Sequence, residues 1–347
     1  MRKLLTIFAI SVLGFGQDFS INIIENSMEF NGVSLSVTSF SNTDVPQIPG
    51  PHIVGNLGSS LTIEVNNLTN QEQHFNILGL DILPENNGWP IGNGGIAPLS
   101  STVINMPSNQ VGTWIYTVTT QGAISIESGL FGIISIVEAN QIVPKIVLSY
   151  EMDSAWHLGN EIDTYHYNPD LFFVNHEVLD ADSIIQNPLN SFGMSLDIEL
   201  VNMGYLVHRY EFNELTATLK SSDANELLAP IELTGYFDVF PGERYQLALG
   251  AHLEGDYVIS LHYLNPISGH SIQENHIIAH FEDFSANIGD INLDGNKNIL
   301  DLVIMIDFLL GEVVPSETEF FRSDMNSDGQ LTVQDIVILV NLILFIL

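Results

Sequence analysis

The chain has 347 residues, of which 45% are hydrophobic, and this is enough for two or three packed domains. Its 42 acidic and 8 basic residues give a formal net charge of -34. A charge of this size repels nucleic acid and anionic membranes, so neither is an expected partner. The chain contains no cysteine, which excludes disulfide bonds, thiolate catalysis and copper–thiolate centres.

The amino-terminal segment has the pattern of a secretory signal peptide. Arg2 and Lys3 precede an apolar run over residues 4–14, and small residues then lead into the polar Gln17. A basic start, a short apolar core and small residues before a polar switch are typical of a cleaved signal. We predict that residues 1–16 are removed and that the chain is exported to the periplasm, the cell surface or the medium.

Residues 18–285 contain many runs in which apolar and polar residues alternate, as they do in β-strands. Leu61, Ile63 and Val65, for example, are separated by polar residues, and Gly, Pro and Asn punctuate many such runs. Short strands at this spacing favour antiparallel sandwiches or barrels, and the length suits two of them. We place the first at residues 17–140 and the second at residues 141–285.

Strings in the first unit resemble the multicopper oxidases, which are built of consecutive cupredoxin sandwiches. Residues 112–116 are similar to the family's G-T-[YF]-W-Y-H-x-H, and residues 129–134 to its G-L-x-G-P-L-I-V. Upstream, residues 73–80 stand where an H-W-H-G-L string would. The resemblance implies a mainly β fold of two consecutive cupredoxin-like Greek-key β-sandwiches.

The second unit continues this resemblance in the same order. Residues 200–208 are similar to the string L-x-N-x-G-x-x-H, residues 240–245 to P-G-E-R-Y, and residues 255–262 to G-x-W-x-x-H-C-H. The common order and spacing of these six segments support the resemblance better than any one of them does.

Most copper-ligand positions implied by the resemblance hold other residues, among them Asn76, Thr117, Thr119, Tyr210, Ser260 and Leu261. The histidines that remain are His74, His208 and His262. A blue copper centre needs a cysteine thiolate and two imidazoles. We therefore expect no bound copper and interpret the three histidines as vestigial, hydrogen-bonded strand residues. The alternative is a mononuclear copper site built from them.

Two other groups contain histidines close together in the sequence. His262, His270, His276 and His280 lie within nineteen residues, but their spacing matches no tight zinc or copper signature. A solvated acidic loop best explains the other group, which consists of Asp153, His157, Glu161, Asp163 and His166.

The carboxyl-terminal segment carries two copies of a calcium-ligand pattern like that of an EF-hand loop. Each 12-residue copy places oxygen-bearing side chains at positions one, three, five and twelve, with glycine at position six. The expected ligands of the first loop are Asp290, Asn292, Asp294, Asn296, Asn298 and Asp301. Those of the second loop are Asp324, Asn326, Asp328, Gln330, Thr332 and Asp335. The pattern predicts two bound Ca²⁺ ions.

The flanks of the loops identify the kind of calcium module. An apolar helix follows each loop, and no helix is evident before either one. This half-hand arrangement, with aspartate at position twelve, resembles a type I dockerin, and we assign residues 286–347 to it. The resemblance implies docking to a cohesin-like partner or cell-surface scaffold. Dockerins select their cohesin partly through the two residues ahead of the last ligand, here Ile299-Leu300 and Val333-Gln334.

The last apolar segment, residues 336–347, is too short to span a bilayer, which takes about 20 residues. We therefore expect no membrane span, and we expect this helix to pack against the other helix of its module.

Together these patterns predict an exported, non-catalytic binding or scaffold component that is assembled through a calcium-dependent dockerin-like module. One alternative is a copper-dependent oxidoreductase with an atypical copper site. The other is a carbohydrate-active or carbohydrate-binding component of a dockerin-assembled, polysaccharide-degrading system.

Overall fold

The structure is a computed structural model that describes residues 17–80, 94–139, 141–158, 167–282 and 287–346. The predicted signal peptide lies outside the described residues. In the described part of the chain, no helix is long and apolar enough to cross a membrane.

The first sandwich packs two four-stranded sheets face to face. Its strands are β1 (Gln17–Phe30), β2 (Val33–Ser41), β3 (Ile53–Asn56), β4 (Leu61–Asn67), β5 (Phe75–Leu78), β6 (Ser100–Met106), β7 (Gly112–Val118) and β8 (Phe131–Val137). One sheet has the order β2-β1-β4-β6 and the other β3-β8-β7-β5. A short helix, α1 (Ala123–Glu127), precedes β8.

Alternation in the sequence explains which side chains fill this first core. Along β4, Leu61, Ile63 and Val65 point inward, and the polar residues between them are more exposed. Strand β8 breaks this pattern because all seven of its residues are buried. Ile134 and Ile136 belong to the core of the first sandwich, whereas Phe131 and Ile133 pack against the second one.

The second sandwich is larger and packs a seven-stranded sheet on a five-stranded one. Its strands are β9 (Lys145–Met152), β10 (Leu171–Val174), β11 (Glu177–Leu179), β12 (Leu189–Ser191), β13 (Ser195–Asn202), β14 (Val207–Glu211), β15 (Thr216–Ser222), β16 (Asn225–Leu233), β17 (Tyr236–Val239), β18 (Arg244–Gly250), β19 (Gly255–Leu264) and β20 (Ser271–Phe281). The sheet orders are β11-β10-β9-β13-β18-β15-β16 and β12-β20-β19-β14-β17. Helix α2 (Ser154–His157) follows β9.

The junction between the sandwiches is both apolar and polar. Tyr150 of β9 stacks on Phe173 with a centroid distance of 4.4 Å and meets Phe131 of the first sandwich edge-on. Arg244, which is buried, crosses the junction, where its Nε donates to the carbonyl oxygen of Thr113 at 2.5 Å. Its Nη1 lies 3.4 Å from the carboxylate of Asp223. The two sandwiches therefore share one continuous buried interface.

The carboxyl-terminal module contains the helices α3 (Ile299–Leu309), α4 (Glu317–Ser323) and α5 (Val333–Ile346). Helices α3 and α5 pack together around Met305, Phe308 and Leu339, as expected from the sequence. Helix α4 corrects the expectation that no helix precedes the second loop. Ser316 and Glu319 form a capping box at its start, a sequence signal that the hydrophobic periodicity alone does not reveal.

Candidate metal sites

The first calcium-type loop is closed by hydrogen bonds from its own backbone to its carboxylates. The carboxylate of Asp290 accepts from the amides of Asp294 and Gly295 at 3.1 and 3.0 Å. Asp301, at position twelve, accepts from the amides of Ile291 and Asn298 at 2.8 and 2.9 Å. The side chains at both ends of the loop are thus held toward its centre.

The second loop repeats this geometry. Asp324 accepts from the amides of Asp328 and Gly329 at 3.2 and 2.8 Å, and Asp335 accepts from the amide of Met325 at 3.0 Å. Gly329 has a φ of 79° and its counterpart in the first loop, Gly295, has a φ of 83°. Such angles favour glycine, which explains the residue at position six of both copies.

Burial and charge make these loops suitable for a divalent cation. Asp290, Asp301, Asp324 and Asp335 are 6%, 0%, 4% and 0% exposed. Within the described residues, none of them makes an ion pair with Lys, Arg or His. Burial raises the pKa of Asp324. Buried carboxylates without a positive partner are unfavourable unless a cation binds, so the residues fit Ca²⁺.

The other expected ligands occupy matching positions in the two loops. The side-chain oxygens of Asn292 and Asn326 accept from the amides of Asp294 and Asp328 and stay within their loops. At position nine, Asn298 and Thr332 instead accept from amides at the start of α3 and α5. Position nine of such loops often contacts the ion through water, which is compatible with this second role as a helix cap.

The structure brings together the four copper-ligand positions of the first unit. Asn76 and Thr117 are register partners on β5 and β7, and the amide of Thr119 donates to the carbonyl of His74 at 3.0 Å. The side chains there contact other protein groups. His74, one residue before β5, lies 2.8 Å through Nε2 from the carboxylate of Glu72, and the Thr117 hydroxyl donates to the carbonyl of Leu130 at 2.6 Å.

His208 lies on β14 in the interior of the second sandwich and is 0% exposed. Its Nε2 is 2.8 Å from a carboxylate oxygen of Glu151, and its Nδ1 is 2.6 Å from the hydroxyl of Ser149. That hydroxyl also lies 2.7 Å from the phenol oxygen of Tyr210. Both ring nitrogens therefore have hydrogen-bond partners within the protein, as expected for a core histidine.

His262 lies on the opposite face of the same sheet. His208 is the register partner of Tyr263, which points into the core, whereas His262 is the partner of Arg209, which points outward. Its ring nitrogens lie 3.7 Å from the carboxylates of Glu211 and Glu274, too far for hydrogen bonds. His262 and His208 therefore do not share a site, and the expectation that His262 is hydrogen-bonded is not met at Nε2.

The other histidines of the group within residues 262–280 are spread along β20 and the loop that precedes it. His276 Nδ1 is 3.5 Å from the hydroxyl of Ser260, and His280 lies between the carboxylates of Asp256 and Glu282 at 2.5 and 3.1 Å. Among the residues that the structure describes, no three or more side chains of His, Cys, Asp or Glu are grouped to hold a metal ion. This also holds for the three aspartates in each of the two calcium-type loops.

The interpretation of Asp153 and His157 as part of a solvated loop is wrong. Asp153 is buried and caps α2 by accepting from the amide of Ala155. His157 lies 3.7 Å through Nε2 from the buried carboxylate of Glu127 in the first sandwich. The backbone amide of Asp153 also donates to Glu127, so both residues lie at the junction, which local sequence does not reveal. The other three members of that group lie outside the described residues.

Comparison with protein-family models finds matches in the first sandwich and in the carboxyl-terminal module. The family model for multicopper oxidases matches residues 31–141, and the model for the dockerin type I domain matches residues 288–344. The chain therefore has a multicopper oxidase-like domain and a C-terminal dockerin type I domain. Dockerin domains bind calcium, so the family match supports Ca²⁺ as the ion of the two loops.

Several solved structures share the fold of the sandwich pair. The multicopper oxidase mgLAC is 19% identical, with a TM-score of 0.63 over 82% of this chain and 92% of that one. The blue copper oxidase from Nitrosomonas europaea is 15% identical, with a TM-score of 0.63 over 91% and 96%. The multicopper oxidase from Campylobacter jejuni is also 15% identical, with a TM-score of 0.61 over 82% and 61%.

At such low identity, these similarities establish the fold alone. They confirm the predicted fold class of cupredoxin-type sandwiches followed by a helical dockerin region. Comparison with curated proteins found no match.

Proposed function

We propose that the chain is an exported, non-catalytic binding or scaffold component that is assembled through its dockerin domain in the presence of calcium. The environment of His208 carries the proposal. A histidine that is fully buried and contacts Glu151 and Ser149 serves as a structural residue of the core. To bind copper, it would have to give up one of these contacts, and the loss of one hydrogen-bond partner of a buried carboxylate lowers stability.

The rest of the copper-ligand positions support the same view. His262 is on the other face of the sheet from His208, and His74 contacts Glu72 at the edge of the first sandwich. A thiolate ligand is not available because the chain has no cysteine. The proposal is therefore that the sandwiches keep the oxidase fold without its copper chemistry.

The dockerin domain offers a surface for the partner. Ile299 and Leu300 at the start of α3 are 68% and 57% exposed, and Val333 at the start of α5 is 67% exposed. Exposed apolar side chains at equivalent positions favour burial against another protein. We propose a cohesin-like partner whose contact surface is apolar at these positions.

Metal analysis of the mature protein tests the loss of copper chemistry. After incubation with copper(II) and calcium and removal of free ions, elemental analysis should give two calcium ions per chain and no stoichiometric copper. Assays with a phenolic substrate should show no oxidation. Stoichiometric copper together with turnover would support the copper-dependent oxidoreductase instead, and loss of that copper in His74→Ala or His262→Ala would locate it.

Binding assays with purified type I cohesin modules test the partner. We expect binding in calcium, its loss in chelator, and its loss in Ile299→Asp combined with Val333→Asp, because a buried charge opposes association. Val103→Asp is the matched control, since Val103 is an exposed apolar residue of β6. Failure of every cohesin to bind, or binding that survives both the chelator and the double variant, would contradict the proposed partner.

A further inference from the structure

The dockerin domain contacts the segment that joins the two sandwiches, of which the structure describes residues 138, 139 and 141–144, hereafter the linker. Gln141 forms an isolated antiparallel bridge with Gln330 of the second calcium loop. Ile142 packs against the core of the dockerin domain, which includes Phe320, Leu331 and Leu339.

Two further contacts join the dockerin domain to the second sandwich. Lys145 Nζ, at the start of β9, is 2.5 Å from the carboxylate of Glu317 in α4. The ring of Phe192, which follows β12, lies 5.6 Å from that of Phe321 in α4. Backbone, apolar, ionic and aromatic contacts thus connect the dockerin domain with the sandwich pair through one surface.

The contact on Gln330 connects this surface with calcium. Gln330 occupies position seven of the second loop, where the main-chain carbonyl is the usual calcium ligand. The next residue, Leu331, is buried in the core that receives Ile142. Calcium binding therefore fixes the positions of Gln330 and Leu331, and these are the loop residues that contact the linker.

We propose that the dockerin domain has a second binding surface, whose partner is the linker of its own chain, and that calcium in the second loop holds the two together. The domain acts within the chain as a calcium-dependent clamp on the sandwich pair. This role goes beyond attachment to an external partner. Ile299 and Leu300 remain exposed in the clamped structure, so that partner and the linker occupy different surfaces.

Thermodynamic linkage gives the clamp a measurable signature. If calcium strengthens the hold on the linker, then the linker strengthens calcium binding in the second loop by the same factor. A variant that releases the linker should therefore bind calcium several-fold more weakly at one site, although all calcium ligands are intact.

Hydrogen exchange of the full mature chain, followed by mass spectrometry, tests the clamp. Calcium should slow exchange in peptides covering the linker as well as in those covering α5. In Ile142→Asp, calcium should still slow exchange in α5 but no longer in the linker, and calorimetry should show the weakened second site. Val103→Asp, on the exposed face of β6, should behave like the unmodified chain.

A charge exchange tests the same surface without placing a charge in the core. Lys145→Glu should reduce the calcium-dependent protection of the linker, and adding Glu317→Lys should restore it. Equal linker exchange with and without calcium in the unmodified chain, while α5 becomes protected, would overturn the clamp. Cohesin binding is measured separately and does not require Ile142, so a failure of the clamp is distinguishable from a failure of the proposed partner.

Discussion

The sandwich pair and the dockerin domain differ in how they satisfy their buried charges. In the sandwiches, Glu151 is paired with His208, and Arg244 lies between Asp223 and the carbonyl of Thr113. In the dockerin domain, buried aspartates converge on two loops without a basic partner in the described chain. The first arrangement is complete within the protein, and the second requires a bound cation. Stability of the two regions should therefore respond to different variables.

Loss of calcium binding should produce the largest difference in stability between the two regions. Asp290→Ala combined with Asp324→Ala should abolish the calcium-dependent gain in helicity and in thermal stability. The reason is that each occupied site adds about 2.7 kcal/mol to the free energy of unfolding when calcium is at 100 times its Kd.

Two optical signals separate the regions in that experiment. The three tryptophans of the chain, Trp89, Trp114 and Trp156, precede the dockerin domain, so their fluorescence reports on the sandwich pair. Circular dichroism reports chiefly on the helices of the dockerin domain. An unchanged melting profile in excess chelator would contradict the prediction.

His208→Ala should destabilise the sandwich pair and leave calcium binding unchanged. It removes a side-chain partner of the buried Glu151 carboxylate, which also accepts from the amides of Tyr205 and Leu206. Breaking a buried pair of this kind costs about 3–5 kcal/mol of the free energy of unfolding. Denaturant unfolding followed by tryptophan fluorescence measures this loss. Tyr210→Phe is the control, because it removes one buried hydroxyl contact with Ser149 and should cost only about 1 kcal/mol. Equal effects of both substitutions would show that the Glu151–His208 contact is not important for stability.

Glu199 should make the stability of the sandwiches depend on pH. It is buried in β13, and burial raises its pKa from 4.5 to about 8 despite the nearby Arg244. Between these values the unfolded chain releases the proton and the folded chain retains it. Stability should therefore fall as pH rises through this window, by at most about 1.4 kcal/mol per pH unit.

Glu199→Gln should remove this contribution, and its stabilising effect should grow with pH and be largest at about pH 8 and above. Unfolding by denaturant at several pH values, followed by tryptophan fluorescence, measures the slope. The same pH dependence in both proteins would assign the effect to another group.

The smallest effect should come from a surface ion pair of the second sandwich. Arg209 donates to both carboxylate oxygens of Asp238 at 2.7 and 2.8 Å and lies 3.7 Å above the ring of Tyr236. Both partners are partly exposed, so Arg209→Ala should cost about 1 kcal/mol or less. A loss comparable with that of His208→Ala, measured in the same way, would mean that surface charge contributes as much to the sandwiches as their interior does.

Local patterns predicted the features whose physical cause is itself local. The calcium loops follow from ligand spacing and from glycine at position six, and α3 follows from an apolar stripe. The inward side chains of β4 follow from simple alternation. Predicting the fold class required more than local patterns, and it rested on the order of six family-like strings over residues 73–262.

Other features depend on residues far apart in the sequence. His208 meets Glu151 only because β9 and β14 belong to facing sheets, and His157 meets Glu127 only because the sandwiches pack together. The same holds for Ile142, whose place in the dockerin core no periodicity suggests. Helix α4 is different, since the capping box at Ser316 and Glu319 was visible in the sequence and carries a local signal.

The placement of the few basic side chains has a consequence for how the protein behaves in solution. Arg244 and Arg322 are buried, and Lys145, Arg209 and Lys220 each contact a carboxylate. The surface is consequently an anionic shell with little local neutralisation, and approaching copies repel one another. Dissolved counterions weaken this repulsion over a Debye length of about 8 Å at 0.15 M salt. High ionic strength should therefore favour the folded state, and low ionic strength should keep the molecules apart in solution.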